Sequence, residues 1–126
     1  HILLAEDNEL NSEIATTLLE EQGASITAVE NGRLALEAIQ NAAPRTYDVI
    51  LMDVMMPEMN GLEATRCIRA FEGKGPGEGT PIIAMTANVF ADDVKACLDA
   101  GMNSHVGKPL DMKVLIGEIL KYTDAR

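Results

Sequence analysis

Tryptophan is absent, aromatic residues make up 3% of the chain, and ten Lys and Arg face twenty Asp and Glu. So few rings leave little for base stacking. A net charge of −10 argues against a nucleic-acid partner, whose phosphates call for Lys and Arg gathered on one face. The acidity suits basic partners or plain solubility. Cys67 and Cys97 form no C-x-x-C and fall in helical patterns, so they read as buried thiols of a reducing compartment. No apolar run approaches the roughly 18 residues of a membrane span, and no signal-peptide pattern opens the chain. Neither G-x-x-x-x-G-K-S/T nor a G-x-G-x-x-G after a strand occurs. The glycine-rich stretch from Gly73 to Gly79 follows a helical pattern and precedes a strand, the wrong order for a phosphate loop. It reads as a connector.

What is present is a series of short apolar runs, each ending at a polar residue. Hydrophobic residues at 47% and charged residues at 24% are ordinary globular values, and 126 residues suffice for one core. Residues 1–126 read as a single domain, and an opening on His1 directly into a strand reads as a segment excised from a longer protein. The central run is Tyr47-Asp48-Val49-Ile50-Leu51-Met52-Asp53-Val54-Met55-Met56-Pro57. Its apolar residues Val49 to Met52 predict a strand buried on both faces, with Asp53 where it emerges.

Residues 1–5, 25–29, 81–86 and 104–107 predict four further strands. The first predicted helix carries Leu10, Ile14 and Leu18 on one face and closes at Gly23. The second carries Leu34, Ala35, Ala38, Ile39 and Ala42, and Pro44 ends it. The third runs from about Leu62 to Phe71, with Ala64, Ile68 and Phe71 inward. The fourth shows Phe90, Val94, Cys97 and Leu98 before Gly101, and the last shows Met112, Leu115, Ile116, Ile119 and Leu120. Five alternating strand–helix units call for an α/β fold, a parallel sheet with helices on both faces.

In such a sheet the residues just past each strand meet on one edge, where open α/β sheets bind ligands. They are Glu6 and Asp7, Asp53, Thr86 and Lys108. Each alone has a plain reading: Asp caps helices or turns, Thr is a β-branched strand residue, and Lys is a solvated amine. Together they are three acids, a hydroxyl and an amine. Three close carboxylates repel, and a hard divalent cation removes that cost. Mg²⁺ prefers one or two carboxylates together with waters and phosphate oxygens.

The set suits phosphoryl transfer to a carboxylate, a reaction served mainly by positioning and charge neutralisation. In that reading Asp53 is nucleophile and acceptor, Asp7 holds the metal, and Glu6 helps directly or through a water. Thr86 and Lys108 would contact phosphoryl oxygens. The methionines at 52, 55, 56 and 59 read as packing and pocket wall.

The spaced set Glu6-Asp7, Met52-Asp53-Val54-Met55-Met56-Pro57-Glu58-Met59-Asn60-Gly61, Thr86-Ala87 and Lys108-Pro109 resembles the receiver domain of two-component response regulators across essentially the whole chain. The resemblance implies a flavodoxin-like three-layer sandwich with strand order 2-1-3-4-5. It implies a Mg²⁺-dependent aspartyl phosphate, with Mn²⁺ as a substitute, and a phosphohistidine donor. By position, Asp53 is the phosphoacceptor and also a metal ligand, and Asp7 is the main metal carboxylate. The backbone carbonyl of Met55 is a further ligand, and Thr86 and Lys108 are the phosphate contacts. Lys108-Pro109 resembles the family's cis peptide. Where the family usually has Tyr or Phe as a rotating switch partner to the hydroxyl residue, this chain has His105. That residue reads as a half-buried rim position, with a pH-sensitive or partner-contacting switch as its rival.

The runs Met52–Pro57, Gly61–Arg66 and His105–Pro109 are most similar to receivers inside hybrid sensor histidine kinases, which relay phosphate to a histidine-phosphotransfer domain. The implied partners are a histidine kinase or phosphotransfer domain, docking on the first helix near Asn8, Asn11 and Ala15. No nucleic acid or membrane contact by this domain is implied, a weak homodimer is compatible, and the location is cytoplasmic, tethered at most through a parent sensor. Phosphorylation would draw Thr86 and the following loop inward and reshape the face of the fourth helix, fifth strand and last helix.

A stand-alone or DNA-binding regulator is the alternative context. A phosphohydrolase that forms an aspartyl intermediate is the remote alternative; such enzymes typically carry a second acid two residues after the nucleophile, where Met55 transfers no proton. Met55 and Asn88 on the path of attacking water imply slow self-hydrolysis. A flavodoxin-like cofactor binder is disfavoured by the acidic turn at Glu6-Asp7.

Overall fold

The computed structural model describes residues 1–43, 46–54, 56, 59–73, 75, 79–86, 91–107 and 111–123. Five parallel strands alternate with five helices: β1 (Ile2–Ala5), α1 (Glu9–Glu21), β2 (Ile26–Val29), α2 (Gly32–Asn41), β3 (Val49–Asp53), α3 (Gly61–Glu72), β4 (Ile82–Thr86), α4 (Ala91–Ala100), β5 (Ser104–Gly107) and α5 (Met112–Thr123). The strand order is β2-β1-β3-β4-β5, as the sequence implied. The central strands read as unbroken apolar runs because both their faces are covered.

Side chains alternate across the sheet with the strand period of two. Leu3, Ala5, Ile50, Met52, Ile82 and Ala84 pack with Ala35, Ile39, Ala64, Ile68 and Cys97 of α2, α3 and α4. Ile2, Leu4, Val49, Leu51, Ile83 and Met85 pack with Ala15, Leu19 and Leu115 of α1 and α5. Those two layers sandwich the sheet. Among the described residues no helix is long and apolar enough to cross a membrane.

Three of the helix starts share one device. The side chains of Asn8, Asn31 and Asn60 cap α1, α2 and α3, each Oδ1 accepting the N–H three residues on, from Asn11, Leu34 and Glu63, at 2.9 Å. Asparagine is among the best residues for this because its short side chain reaches the unpaired first-turn donors.

Several helix faces differ from the expected ones. Leu10 and Ile14 are 64% and 49% exposed, because α1 is turned to lay Ala15 and Leu19 on the sheet. Phe71, Leu98 and Leu120 are also exposed. On α3 the inward positions beyond Ala64 and Ile68 are Thr65 and Arg69, since this helix packs against α4 as well as the sheet. Of the two thiols, Cys97 is buried and Cys67 half-buried, and neither is in a disulfide. Pro44 and Phe90 lie outside the described residues.

Burying Arg69 is possible because its donors are matched. Nε donates to the carbonyl of Gly101 at 2.9 Å, and Nη1 to Glu72 at 2.9 Å and the Thr80 carbonyl at 2.8 Å. Nη2 donates to Asn103 Oδ1 at 2.9 Å, which also accepts the Ile82 N–H. Glu72 in turn accepts from both the N–H and hydroxyl of Thr80. Burial lowers the guanidinium pKa from its ordinary value while Glu72 raises it, and the group stays charged. The cluster ties α3, the start of β4 and the α4–β5 turn together at the sheet edge opposite Asp53. Arg69→Met strands the Glu72 carboxylate, and a loss of about 3 to 5 kcal/mol is expected in urea unfolding.

Candidate functional site

β3 is fully buried from Val49 to Met52 and releases its last residue, Asp53, at 4% exposure. Ala5 of β1 pairs with Met52, so Glu6 follows on the neighbouring strand at the same height as Asp53. On the other side Asp53 pairs with Met85, and Thr86 is the next residue of β4. Parallel pairing thus brings three strand exits within a few ångströms, although their residues are about 30 to 80 positions apart in the chain.

One carboxylate oxygen each of Glu6, Asp7 and Asp53 lies within 4.8 Å of the others. Glu6 and Asp53 are buried and Asp7 is exposed, so the trio opens to solvent on one side. Glu6 Oε1 accepts the Asn8 N–H at 3.1 Å. Since Asn8 caps α1, helix capping does not claim Asp7. Two carboxylates at such a spacing repel by about 3 kcal/mol at an effective dielectric near 20. Three hard oxygen donors, two from a rigid strand edge and one open to water, fit a divalent cation of the Mg²⁺ type. Thr86 is buried at the same edge, its hydroxyl-bearing strand bonded to the Asp53 loop through the Val54 N–H to the Met85 carbonyl at 3.2 Å.

His105 pairs with Ala84 on β4, two residues short of Thr86, and is half-buried, as expected. Beside it, Ser104 Oγ donates to Glu118 at 2.7 Å and holds that carboxyl below its ordinary pKa, with Lys121 adding to the effect. The Ala15 docking contact is corrected: that side chain is buried under α1, which leaves Leu10 and Ile14 outermost. Met55, Ala87, Asn88, Lys108 and Pro109 lie outside the described residues, and with them the carbonyl ligand, the lysine arm and the cis peptide.

Two glycines also build this edge. Gly61 donates its N–H to the Val54 carbonyl at 3.0 Å, and a Cβ there would overlap the carbonyl oxygen of Asp53. Gly32 donates to the Met59 carbonyl at 3.0 Å, and a Cβ there would overlap that oxygen. The signal was the doublet Asn-Gly at both 31–32 and 60–61. In each, Asn caps a helix and Gly lets the helix start press on neighbouring backbone.

The family model for the response regulator receiver domain matches residues 2–120. Sensor protein GacS of Pseudomonas syringae pv. syringae is 39% identical over 122 residues, covering 97% of this chain and 13% of that protein. The chain therefore spans a small part of that relative's length. The receiver domain of a sensor histidine kinase from Pseudomonas aeruginosa PAO1, solved with a magnesium ion coordinated in its active site cleft, superposes with a TM-score of 0.84 at 36% identity, over 98% of this chain and 96% of that one. A co-crystal structure of a Saccharomyces cerevisiae histidine phosphotransfer signaling protein with the receiver domain of its downstream response regulator matches with a TM-score of 0.87 at 28% identity, over 98% of this chain and 88% of that one.

Crowded carboxylates make stability depend on cation and on charge in opposite senses. In metal-free buffer Asp53→Asn is expected to resist urea better than wild type, by roughly 1 to 2 kcal/mol. Mg²⁺ at 100 times its Kd should stabilise wild type by about 2.7 kcal/mol and the variant far less. Urea titrations with and without the cation read both effects.

Proposed function

The chain belongs to the response regulator receiver domain family, and on that premise we propose that it takes a phosphoryl group from a phosphohistidine onto Asp53. The observation that carries this is the buried Asp53 carboxylate at a sheet edge, within 4.8 Å of Glu6 and Asp7 oxygens. A carboxylate oxygen of Asp53 forms the new O–P bond while the P–N bond to the donor breaks, its electron pair returning to the imidazole nitrogen. Burial keeps water from the carboxylate and fixes its direction, which suits a reaction governed by placement. Asp7 and Asp53, with Glu6 directly or through a water, would hold the divalent cation, Mg²⁺ first and Mn²⁺ through the same oxygen donors, with the Met55 carbonyl as a further ligand. When bound, the cation neutralises charge on the carboxylates and on the transferring phosphoryl oxygens.

Thr86 donates its hydroxyl, and Lys108 its ammonium, to the phosphoryl oxygens. Drawing Thr86 inward reshapes the α4–β5–α5 face, with His105 in place of the usual aromatic residue. Met55 and Asn88 shield the acyl phosphate from water, so self-hydrolysis is slow.

The family match covers nearly the whole chain and a sensor kinase shares it, which supports a receiver module of a hybrid sensor histidine kinase relaying to a histidine-phosphotransfer domain. A cytoplasmic location goes with that reading. The partner docks where α1 leaves the site: Leu10 and Ile14 expose apolar side chains that the sheet does not use.

With acetyl phosphate and Mg²⁺, wild type should take up a single phosphoryl group that alkali and hydroxylamine release, as they do from an acyl phosphate, and Asp53→Asn should take up none. Equal uptake by both would refute the assignment. Replacing Leu10 and Ile14 together by Ser should leave acetyl phosphate labelling intact while slowing transfer from a phosphorylated histidine domain about tenfold.

A further inference from the structure

The short connection from Val29 to Gly32 supplies none of the acidic trio, yet it is bonded to both parts of the chain that do. The Val29 carbonyl accepts the Glu6 N–H at 3.1 Å, and the Gly32 N–H donates to the Met59 carbonyl at 3.0 Å. Glu6 begins the turn that carries two of the carboxylates. Met59 belongs to the connection that leaves Asp53 and ends at Gly61, which is itself bonded back to Val54. Only two residues separate the two attachment points, and the second of them, Asn31, caps α2 while itself buried.

The bracing requires a bare α-carbon. A Cβ at position 32 would overlap the Met59 carbonyl oxygen and come within 2.9 Å of Ala64 Cβ and 3.0 Å of the Asn60 carbonyl oxygen. Two of those three neighbours are backbone, which cannot swing aside as a flexible side chain would.

We propose that Gly32 is a positioning residue for the cation site, setting the spacing between the Glu6–Asp7 turn and the chain leaving Asp53. The proposal rests on the receiver reading of that site. It deepens the reading by giving a role to a segment that touches neither cation nor phosphate. Residues that orient a metal's ligands from behind typically change affinity 10- to 100-fold when altered.

Gly32→Ala should therefore weaken Mg²⁺ binding, read by isothermal titration calorimetry, about tenfold or more. Ile68→Val, a core change in the same layer, should lower stability and leave Mg²⁺ affinity as in wild type. Wild-type affinity in Gly32→Ala, or equal weakening in Ile68→Val, would overturn the proposal while leaving the receiver reading intact. Wild type that binds no Mg²⁺ would overturn both. If Gly32→Ala does not fold, an NMR titration of wild type decides. The Gly32 amide proton should shift with the same Mg²⁺ midpoint as the Asp53 amide, and a Gly32 signal that stays put overturns the brace.

Discussion

Mutual repulsion of carboxylates held at the end of a buried strand is the constraint around which this molecule is arranged. β3 has no freedom to move Asp53 away, because its residues are covered by helices on both faces and paired with β1 and β4. Glu6 is fixed as firmly, one residue past a strand in register with β3. The repulsion cannot relax through the backbone, so positive charge beside the trio is what offsets it. Any change of charge at this edge therefore alters a balance that the scaffold keeps tight.

The scaffold around that edge relies on backbone contact more than on side chains. Helix starts are seated by Asn caps, and two of them are followed by glycine so that α2 and α3 can press directly on neighbouring carbonyls. The opposite edge is organised differently, by a buried guanidinium of α3 whose hydrogen bonds reach the start of β4 and the α4–β5 turn. One end of the sheet thus gathers like charge and the other a matched ion pair. Crowded charge is kept at the acidic end, and the far end supplies the rigidity.

The apolar residues left outside the core fit the same division. Leu10 and Ile14 sit on the first turns of α1, directly after Asp7, where a partner approaching the acids would meet them. Their helix turns its small and branched residues Ala15 and Leu19 inward. An amphipathic pattern read by periodicity alone assigns all such residues to one interior, since a helical stripe looks alike whether sheet or partner covers it.

Composition, the five alternating apolar runs and the residues at their ends determined the layered parallel sheet and its acidic edge, because a strand buried on both faces and a polar residue at its exit are local properties of the chain. Helix rotation was not local: the exposure of Phe71 and Leu98 and the burial of Arg69 follow from how α3 and α4 meet. Only the tertiary structure brought Gly101, Thr80 and Asn103 around that arginine. Only it pressed Gly32 and Gly61 onto carbonyls of other segments. Contacts between residues distant in the chain depend on register and packing, and no periodicity encodes those.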